Sequence, residues 1–207
     1  MNPNVVGIAG GTASGKTTVA RKIHESLSPS RVAFLDQDSY YLDLKSLTLE
    51  ERREVNFEHP DAFDTELLVE HLKRLKQGQG VQKPVYNFVT STRESSATQV
   101  SPADIILVEG ILVLHLEAIR AELDLKIFVE TEDDVRIIRR LTRDIKERGR
   151  DFDHVVQQYF RHVRPMHMGF VDPSKRHADI IVPHGGNNDT AIDMLVGALR
   201  AKMQRTR

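Results

Sequence analysis

The chain has 207 residues, of which 40% are hydrophobic and 29% are charged, and its formal net charge at pH 7 is −1. This composition is typical of a soluble globular protein with one sizeable core, and the length is too short for two ordinary enzyme domains. The near-neutral charge argues against a general affinity for nucleic acid. Because the chain contains no cysteine, a disulfide framework and thiol catalysis are excluded.

The sequence also argues against export and membrane insertion. The first motif begins at Gly10, which leaves no room for a cleavable signal ahead of it. No apolar run approaches the length that crosses a bilayer. We therefore expect a cytoplasmic protein that binds neither membrane nor nucleic acid.

A phosphate-binding loop follows the first apolar run. Residues 10–17 match the pattern G-x-x-x-x-G-K-[ST], and a helical pattern follows from Thr18 to Ser26. Glycines allow successive N–H groups of such a loop to converge on one phosphate chain. Lys16 can reach the β- and γ-phosphates, and the Thr17 hydroxyl can bind Mg²⁺. A glycine-rich turn without a ligand is the alternative. The predicted ATP-binding residues are Gly10, Gly11, Thr12, Ala13, Ser14, Gly15, Lys16, Thr17 and Thr18.

Short apolar runs alternate with helical patterns along the chain, which predicts a doubly wound, mostly parallel α/β sheet. The predicted strands are Val5 to Ala9, Val32 to Leu35, Ile105 to Val108, Leu125 to Val129 and Ile180 to Val182. The later helices are predicted over Thr65 to Gln77, Asp133 to Arg148, Asp153 to His162 and beyond, and Asp189 to Met203. Asp64 and Gly78 are typical caps for the first of these, and Gly149 ends the second.

One stretch interrupts this alternation. Residues 80–102 combine an extended apolar segment with a polar one, which predicts a β-hairpin inserted beside the sheet. No linker rich in Pro, Gly or Ser divides the chain. We expect residues 1–207 to form a single domain, with 80–102 as the hairpin and 133–170 as a helical lid region.

Two acidic residues follow predicted strands, at the sheet edge where ligands of such folds bind. Asp38 follows the second strand, where a carboxylate can accept the proton of an attacking hydroxyl or hold hydrated Mg²⁺. Glu109 ends the third strand, in the place of the acid that orders Mg²⁺ in nucleotide-hydrolysing folds. An Asp that caps a turn and a Glu that only ends a strand are the alternatives.

The helix predicted over Asp133 to Arg148 has an apolar stripe of the kind that packs on a core, formed by Val135, Ile138, Leu141 and Ile145. Its other face is basic, through Arg136, Arg139, Arg140 and Arg143, and Arg148 and Arg150 flank Gly149. Most such charges are solvated and paired with acids. Next to a phosphate loop, the same arginines could form a lid that closes on the γ-phosphate.

The nine histidines show no metal-ligand spacing. His162 and His167 point in different directions on a helix. We expect these side chains at the surface or in the core, and we predict no zinc site.

Seven further segments follow the loop in a characteristic order. They are QDSYY at 37–41, NFEHPDAFD at 56–64, PVYNF at 84–88, EGIL at 109–112, RDIKERGRD at 143–151, QY at 158–159 and ADIIVP at 178–183. With the loop, they resemble the uridine–cytidine kinases, a family of P-loop nucleoside kinases. The resemblance covers nearly the whole chain, and the ordered set is far more specific than the loop alone. It implies a P-loop NTPase-type three-layer sandwich.

The resemblance implies a role for each matched residue. Asp38 matches the catalytic base for the ribose 5′-hydroxyl, and Mg²⁺ would be held by Thr17, Asp38 and Glu109. Arg143 and Arg148 match lid arginines that act with Lys16 on the phosphates, and Asn187 lies near the adenine of ATP. The nucleoside-binding positions are Tyr41, Phe57, Glu58, Tyr86, Phe88, Ser91, Arg140, Arg150 and Gln158.

The family resemblance further implies ATP or GTP as the donor, Mg²⁺ as the cofactor, uridine or cytidine as the acceptor in pyrimidine salvage, and a homotetramer. Two residues depart from the family pattern. Glu58 stands where Asp is usual, and its reach is longer. Ser91 stands where many members have a His that reads the exocyclic edge of the pyrimidine, which leaves the preference between uridine, cytidine and other bases open.

Two other functions fit parts of the same sequence. A kinase of this fold could act on ribulose phosphate or pantothenate, although Phe57, Tyr86 and Phe88 favour a flat base as the ligand. A regulatory module that binds ATP without turnover is the second alternative. The presence of both Asp38 and Glu109 argues against it.

Overall fold

The computed structural model describes residues 3–27 and 31–205, which form a five-stranded parallel sheet with helices on both faces. The strand order is β2–β5–β1–β6–β7, and every neighbouring pair is parallel. The strands are β1 (Asn4–Ala9), β2 (Val32–Asp36), β5 (Ile105–Glu109), β6 (Leu125–Val129) and β7 (Ile180–Val182). All five lie where the sequence predicts them. Residues 1, 2, 28–30, 206 and 207 of the predicted domain lie outside the described residues.

Alternate side chains of the sheet enter two separate cores. Val6 and Ile8 of β1 pack in one core beneath α1 (Lys16–Ser26) and α9 (Asp189–Arg205). Val5 of the same strand packs in the other, beneath α3 (Thr65–Lys76) and α4 (Glu117–Arg120). Because side chains of a strand point to opposite faces in turn, a sheet buried on both sides needs continuous apolar runs. The result is a three-layer arrangement.

The predicted helix caps are present. The Asp64 side chain accepts a hydrogen bond from the Leu67 N–H group at 3.1 Å and so begins α3. Gly78 follows the end of that helix with a φ of 77°, a left-handed conformation that glycine adopts without strain. α5 (Asp133–Lys146) likewise ends shortly before Gly149, whose φ is 63°.

The predicted hairpin consists of β3 (Val81–Asn87) and β4 (Thr92–Val100), which pair in antiparallel fashion as a separate two-stranded sheet. Two basic side chains attach it to the segment that follows β2. Lys83 pairs with Asp36 at the end of that strand, and Arg93 donates to the Tyr41 carbonyl at 2.8 Å. The hairpin therefore borders the carboxyl edge of the main sheet.

The predicted helix from Asp153 extends well beyond His162. It begins as α6 (Phe152–Gln158) and continues through π-helical, α-helical and 3₁₀ turns to His177. The later turns are Tyr159–Val163, α7 (Arg164–Met166), His167–Val171, α8 (Asp172–Ser174) and Lys175–His177. A further helix, α2 (Leu49–Glu54), was missed by the sequence prediction.

The prediction that the apolar stripe of α5 packs on the core is wrong. Val135, Ile138 and Ile145 are 36%, 63% and 39% exposed, whereas Arg136 and Arg140 are 4% and 6% exposed. Periodicity locates the two faces of a helix but not which one meets the protein, and here acidic partners compensate the buried guanidiniums.

The sheet edge also departs from the expected burial. Ile180 and Ile181 of β7 are 39% and 46% exposed, because β7 is a short strand at the edge of the sheet, next to β6. Within residues 3–27 and 31–205, no helix combines the length and the apolar character that a membrane span requires.

Candidate active site

The phosphate loop joins β1 to α1 and is held from outside by a neighbouring turn. Gly15 has a φ of 91°, and a Cβ atom there would lie 2.8 Å from the Gly186 nitrogen, so the position needs glycine. The Thr131 hydroxyl donates to the Ser14 carbonyl at 2.9 Å. The close approach of the turn and the hydrogen bond from Thr131 restrict the backbone of the loop.

Glu109 lies against the end of this loop. Its Oε1 atom accepts a hydrogen bond from the Thr17 hydroxyl at 2.9 Å, and its Oε2 atom lies 4.0 Å from Lys16 Nζ. Oε2 is buried and has no hydrogen-bond partner among the described residues. Burial raises the pKa of Glu109, and the charge on Lys16 opposes that shift. An unpartnered carboxylate oxygen next to a threonine hydroxyl fits the oxygen ligands that Mg²⁺ prefers.

Asp38 lies on the 3₁₀ turn that follows β2, in the same cavity as Lys16. Burial raises the pKa of Asp38 above its usual 3.8, again opposed by Lys16. The neighbouring Gln37 is fully buried, and its Oε1 atom accepts a hydrogen bond from the Leu112 N–H group at 3.0 Å. This bond ties the Asp38 turn to the segment after Glu109. A carboxylate with a raised pKa, held next to a phosphate site, is suited to accept a proton.

A cavity of about 530 Å³ opens at this edge of the sheet and collects the predicted substrate residues. Donor-side and acceptor-side groups thus share one space. Of the predicted site residues, those that line it are Thr12, Lys16, Asp38, Tyr41, Phe57, Glu58, Tyr86, Phe88, Ser91, Arg140, Arg143, Arg148, Arg150 and Gln158.

One wall of the cavity is aromatic. The Tyr41 ring lies 5.4 Å from that of Phe57 and 5.1 Å from that of Tyr86, and Tyr86 lies 5.5 Å from Phe88. The Tyr86 hydroxyl is buried, and Ser91 approaches it without completing a hydrogen bond of ordinary geometry. Burial raises the pKa of Tyr86 to about 12, so the phenol remains a proton donor. Such a wall suits a flat ring with a polar edge.

Another part of the cavity lining is polar. Arg140 donates from one nitrogen to Glu58 Oε1 at 3.0 Å and to the Thr12 hydroxyl at 3.0 Å. Gln158 of α6 donates to the Arg53 carbonyl at 3.3 Å. Paired carboxylate, guanidinium and amide groups can bind vicinal hydroxyls, which both donate and accept hydrogen bonds.

The remaining predicted residues lie elsewhere. Thr17 and Glu109 are bonded to each other outside the cavity lining, and Asn187 is exposed on the turn that packs on the phosphate loop. Arg136, which we placed on the basic face, donates to the Thr131 carbonyl at 3.2 Å and pairs with Asp133. It is therefore a structural residue behind the loop.

Several lining residues were missed by the sequence prediction, namely Leu49, Arg52, Arg53, Ile111, His154 and His162. The first three lie on α2, whose start carries a detectable signal. Thr48 and Glu51 form a capping box, and this S/T-x-x-E/Q pattern marks a helix N-terminus. The two histidines were assigned to the surface or the core because their spacing suggests no metal site, and spacing alone does not predict a cavity.

A family model described as "Phosphoribulokinase / Uridine kinase family" matches residues 5–191. The chain belongs to this family. It is 53% identical over 200 residues to a uridine kinase of Clostridium novyi, with 97% of this chain and 96% of that protein covered. It is 50% identical over 199 residues to a uridine kinase of Halalkalibacterium halodurans, with 96% and 94% covered. The predicted family is thus confirmed.

The fold of this family member has a solved counterpart in phosphoribulokinase from Rhodobacter spheroides. The TM-score is 0.64 at 12% sequence identity, over 88% of this chain and 70% of that one. At this identity the likeness concerns the fold alone. It confirms the predicted P-loop kinase architecture.

Proposed function

We propose that this protein is an ATP-dependent kinase that phosphorylates the 5′-hydroxyl of a pyrimidine nucleoside, uridine, cytidine or both, in pyrimidine salvage. One observation carries the proposal: Lys16 and Asp38 share a cavity with an aromatic wall and a polar wall. This cavity brings a phosphate site, a candidate base and a pocket for a flat ring together. The relatives named as uridine kinases support the same acceptor.

In the proposed reaction, Asp38 accepts the proton of the 5′-hydroxyl while the hydroxyl oxygen attacks the γ-phosphorus. A new P–O bond forms, the bond between the γ-phosphorus and the bridging oxygen breaks, and ADP leaves. Lys16, Arg143 and Arg148 stabilise the charge on the transferring group. Catalysis of this kind depends mainly on positioning and electrostatics.

The donor is ATP, with GTP as the alternative, and Thr17, Asp38 and Glu109 would hold Mg²⁺. When bound, the metal supplies charge neutralisation for the phosphates. Among residues 3–27 and 31–205, no group of three or more His, Cys, Asp or Glu side chains could hold a metal by itself. A magnesium ion bound with few protein ligands takes the rest from phosphate and water. Asn187 is assigned to the adenine side of the donor.

We assign the residues of the acceptor pocket from the chemical groups that they offer to a nucleoside. The rings of Tyr41, Phe57, Tyr86 and Phe88 hold the base, and Glu58, Arg140, Arg150 and Gln158 bind the ribose hydroxyls. Ser91 adds a small hydroxyl near the base edge and leaves space there. The choice between uridine and cytidine therefore depends on groups besides Ser91, and a purine nucleoside remains an alternative acceptor.

Further parts of the proposal concern the whole chain. Residues 1–207 form one kinase domain in which 80–102 is the substrate-side hairpin and 133–170 the lid. The protein acts in the cytoplasm as a homo-oligomer, with a tetramer as the implied state. The exposed apolar residues of α5, among them Ile138 at 63% exposure, support association with further copies.

A panel of acceptors tests the proposal. Purified protein with Mg·ATP is incubated with uridine, cytidine, adenosine, ribulose 5-phosphate or pantothenate, and ADP and the phosphorylated product are measured. We expect ADP release that depends on uridine or cytidine, with the 5′-monophosphate as product. Ribulose 5-phosphate or pantothenate as the preferred acceptor would replace the proposal with another kinase of this fold. ATP binding without acceptor-dependent ADP would favour the non-catalytic module.

A further inference from the structure

Four arginines of the cavity surround one carboxylate. The arginine cluster, defined as Arg140, Arg143, Arg148 and Arg150, lines the cavity, and each member forms an ion pair with Asp144. Two of these pairs are hydrogen bonds, from Arg143 Nε to Oδ1 at 2.9 Å and from Arg150 to Oδ2 at 3.2 Å. The other two are longer, at 3.8 Å for Arg148 and 3.7 Å for Arg140.

The carboxylate lies behind the guanidiniums. The Asp144 side chain is 0% exposed, whereas those of Arg143, Arg148 and Arg150 are 30%, 27% and 29% exposed. Burial alone would raise the pKa of Asp144, but the surrounding arginines outweigh it and hold the pKa below its usual value. Asp144 is therefore a charged group that contacts the arginines and does not line the cavity.

The backbone turn after α5 brings Arg148 and Arg150 back to Asp144. Arg148 and Arg150 follow the end of α5, and Gly149 between them has a φ of 63°. The Arg150 N–H group donates to the Asp144 carbonyl at 3.0 Å. Both the main chain and the side chain of Asp144 thus hold this turn in place.

Four guanidiniums in one place repel each other unless an anion lies among them. We propose that Asp144 is a positioning residue of the phosphate lid, whose carboxylate gathers the arginine cluster at the cavity before the phosphates bind. This inference rests on the proposed kinase function. Arg143 and Arg148 then meet the γ-phosphate from fixed positions, and Arg140 and Arg150 meet the ribose hydroxyls in the same way, so no reorganisation is needed during transfer.

The proposal predicts two effects of opposite sign for Asp144→Asn. Without the carboxylate charge, the arginines are no longer fixed, and kcat with uridine and Mg·ATP falls by about tenfold or more. The cluster also carries one more unit of net positive charge, so inorganic tripolyphosphate binds about threefold more tightly or better. The matched control is Glu147→Gln, since Glu147 is exposed on the same chain segment and lies outside the cluster. It leaves both quantities within about twofold of the wild-type values.

Calorimetry with tripolyphosphate and steady-state kinetics measure the two effects, and thermal unfolding checks that each variant folds. Unchanged kcat and unchanged affinity for Asp144→Asn would overturn the proposal, and so would a loss of both, which is the result of a purely structural role. If Asp144→Asn does not fold, Asp144→Glu replaces it. That variant keeps the charge, so it should lower kcat and leave tripolyphosphate affinity within about twofold. Tighter binding by Asp144→Glu would overturn the proposal.

Calorimetry also separates this inference from the proposed function. If the wild-type protein phosphorylates no nucleoside, the proposed function fails. The difference in tripolyphosphate affinity between wild type and Asp144→Asn remains measurable in that case.

Discussion

The phosphate side and the acceptor side of the cavity are built in different ways. Residues 10–17 are contiguous, the turn at Gly185–Asn187 packs closely against Gly15, and the Thr131 hydroxyl donates to the Ser14 carbonyl. The acceptor side collects side chains from α2, the hairpin, α5 and α6, and rings and ion pairs join them. In the proposed function, phosphate binding therefore depends mainly on local backbone geometry, and nucleoside binding depends on tertiary contacts. Changes to one side should alter one substrate more than the other.

The largest effect is expected from Lys16→Ala on the phosphate side. Lys16 lies next to both acids, and its charge should support both ATP binding and phosphoryl transfer. We expect kcat to fall by about a thousandfold and the affinity for Mg·ATP to fall as well, measured by kinetics and by calorimetry. Arg21→Ala is the control, because Arg21 is exposed on the same helix. Turnover by Lys16→Ala close to that of Arg21→Ala would contradict the assigned role.

An intermediate effect is expected from Glu58→Gln on the acceptor side. The change removes the charge that pairs with Arg140 at 3.0 Å. Because hydrogen bonds to charged groups contribute about 1.5–3 kcal/mol, the KM for the nucleoside should rise by about tenfold or more. The KM for ATP should change little, since Glu58 lies on the polar acceptor wall. An equal rise in both KM values would show that the two sides are not separable.

The smallest effect is expected from Tyr86→Phe. The substitution keeps the ring and removes a buried hydroxyl that completes no hydrogen bond among the described residues. If the hydroxyl binds the base edge, the loss is about 1 kcal/mol and the KM for the preferred nucleoside rises by about fivefold. Uridine and cytidine should respond unequally, because their edges differ in donors and acceptors. A uniform response for both would place the hydroxyl away from the base edge.

The difference between local and tertiary contacts also explains which parts of the site could be predicted from the sequence. The loop at 10–17, its strand and its helix are specified by neighbouring residues, and their prediction was correct. Asp38 and Glu109 were singled out because each lies at the carboxyl end of a predicted strand, at the edge where ligands of such folds bind. Asp144 was not singled out, since its role appears only once four arginines lie around it.

The wrong prediction of which face of α5 is buried shows what hydrophobic periodicity cannot determine. Ile138 and Arg140 lie on opposite faces, and the pattern gives their separation without giving the direction of the protein interior. That direction depends on Glu58, which is distant in sequence and pairs with Arg140. By contrast, α2 was missed although its Thr48–Glu51 capping box is a local signal.

The central claim is that Asp38 accepts a proton from a nucleoside bound in the same cavity as the phosphates, and Asp38→Asn tests it most directly. Asp61→Asn, at an exposed Asp of the 3₁₀ turn Pro60–Ala62, is the matched control. Turnover of uridine by Asp38→Asn should fall by about 10²- to 10⁴-fold, while the affinities for Mg·ATP and uridine change only a few-fold. Uridine phosphorylation by Asp38→Asn at a rate near that of Asp61→Asn would contradict the account.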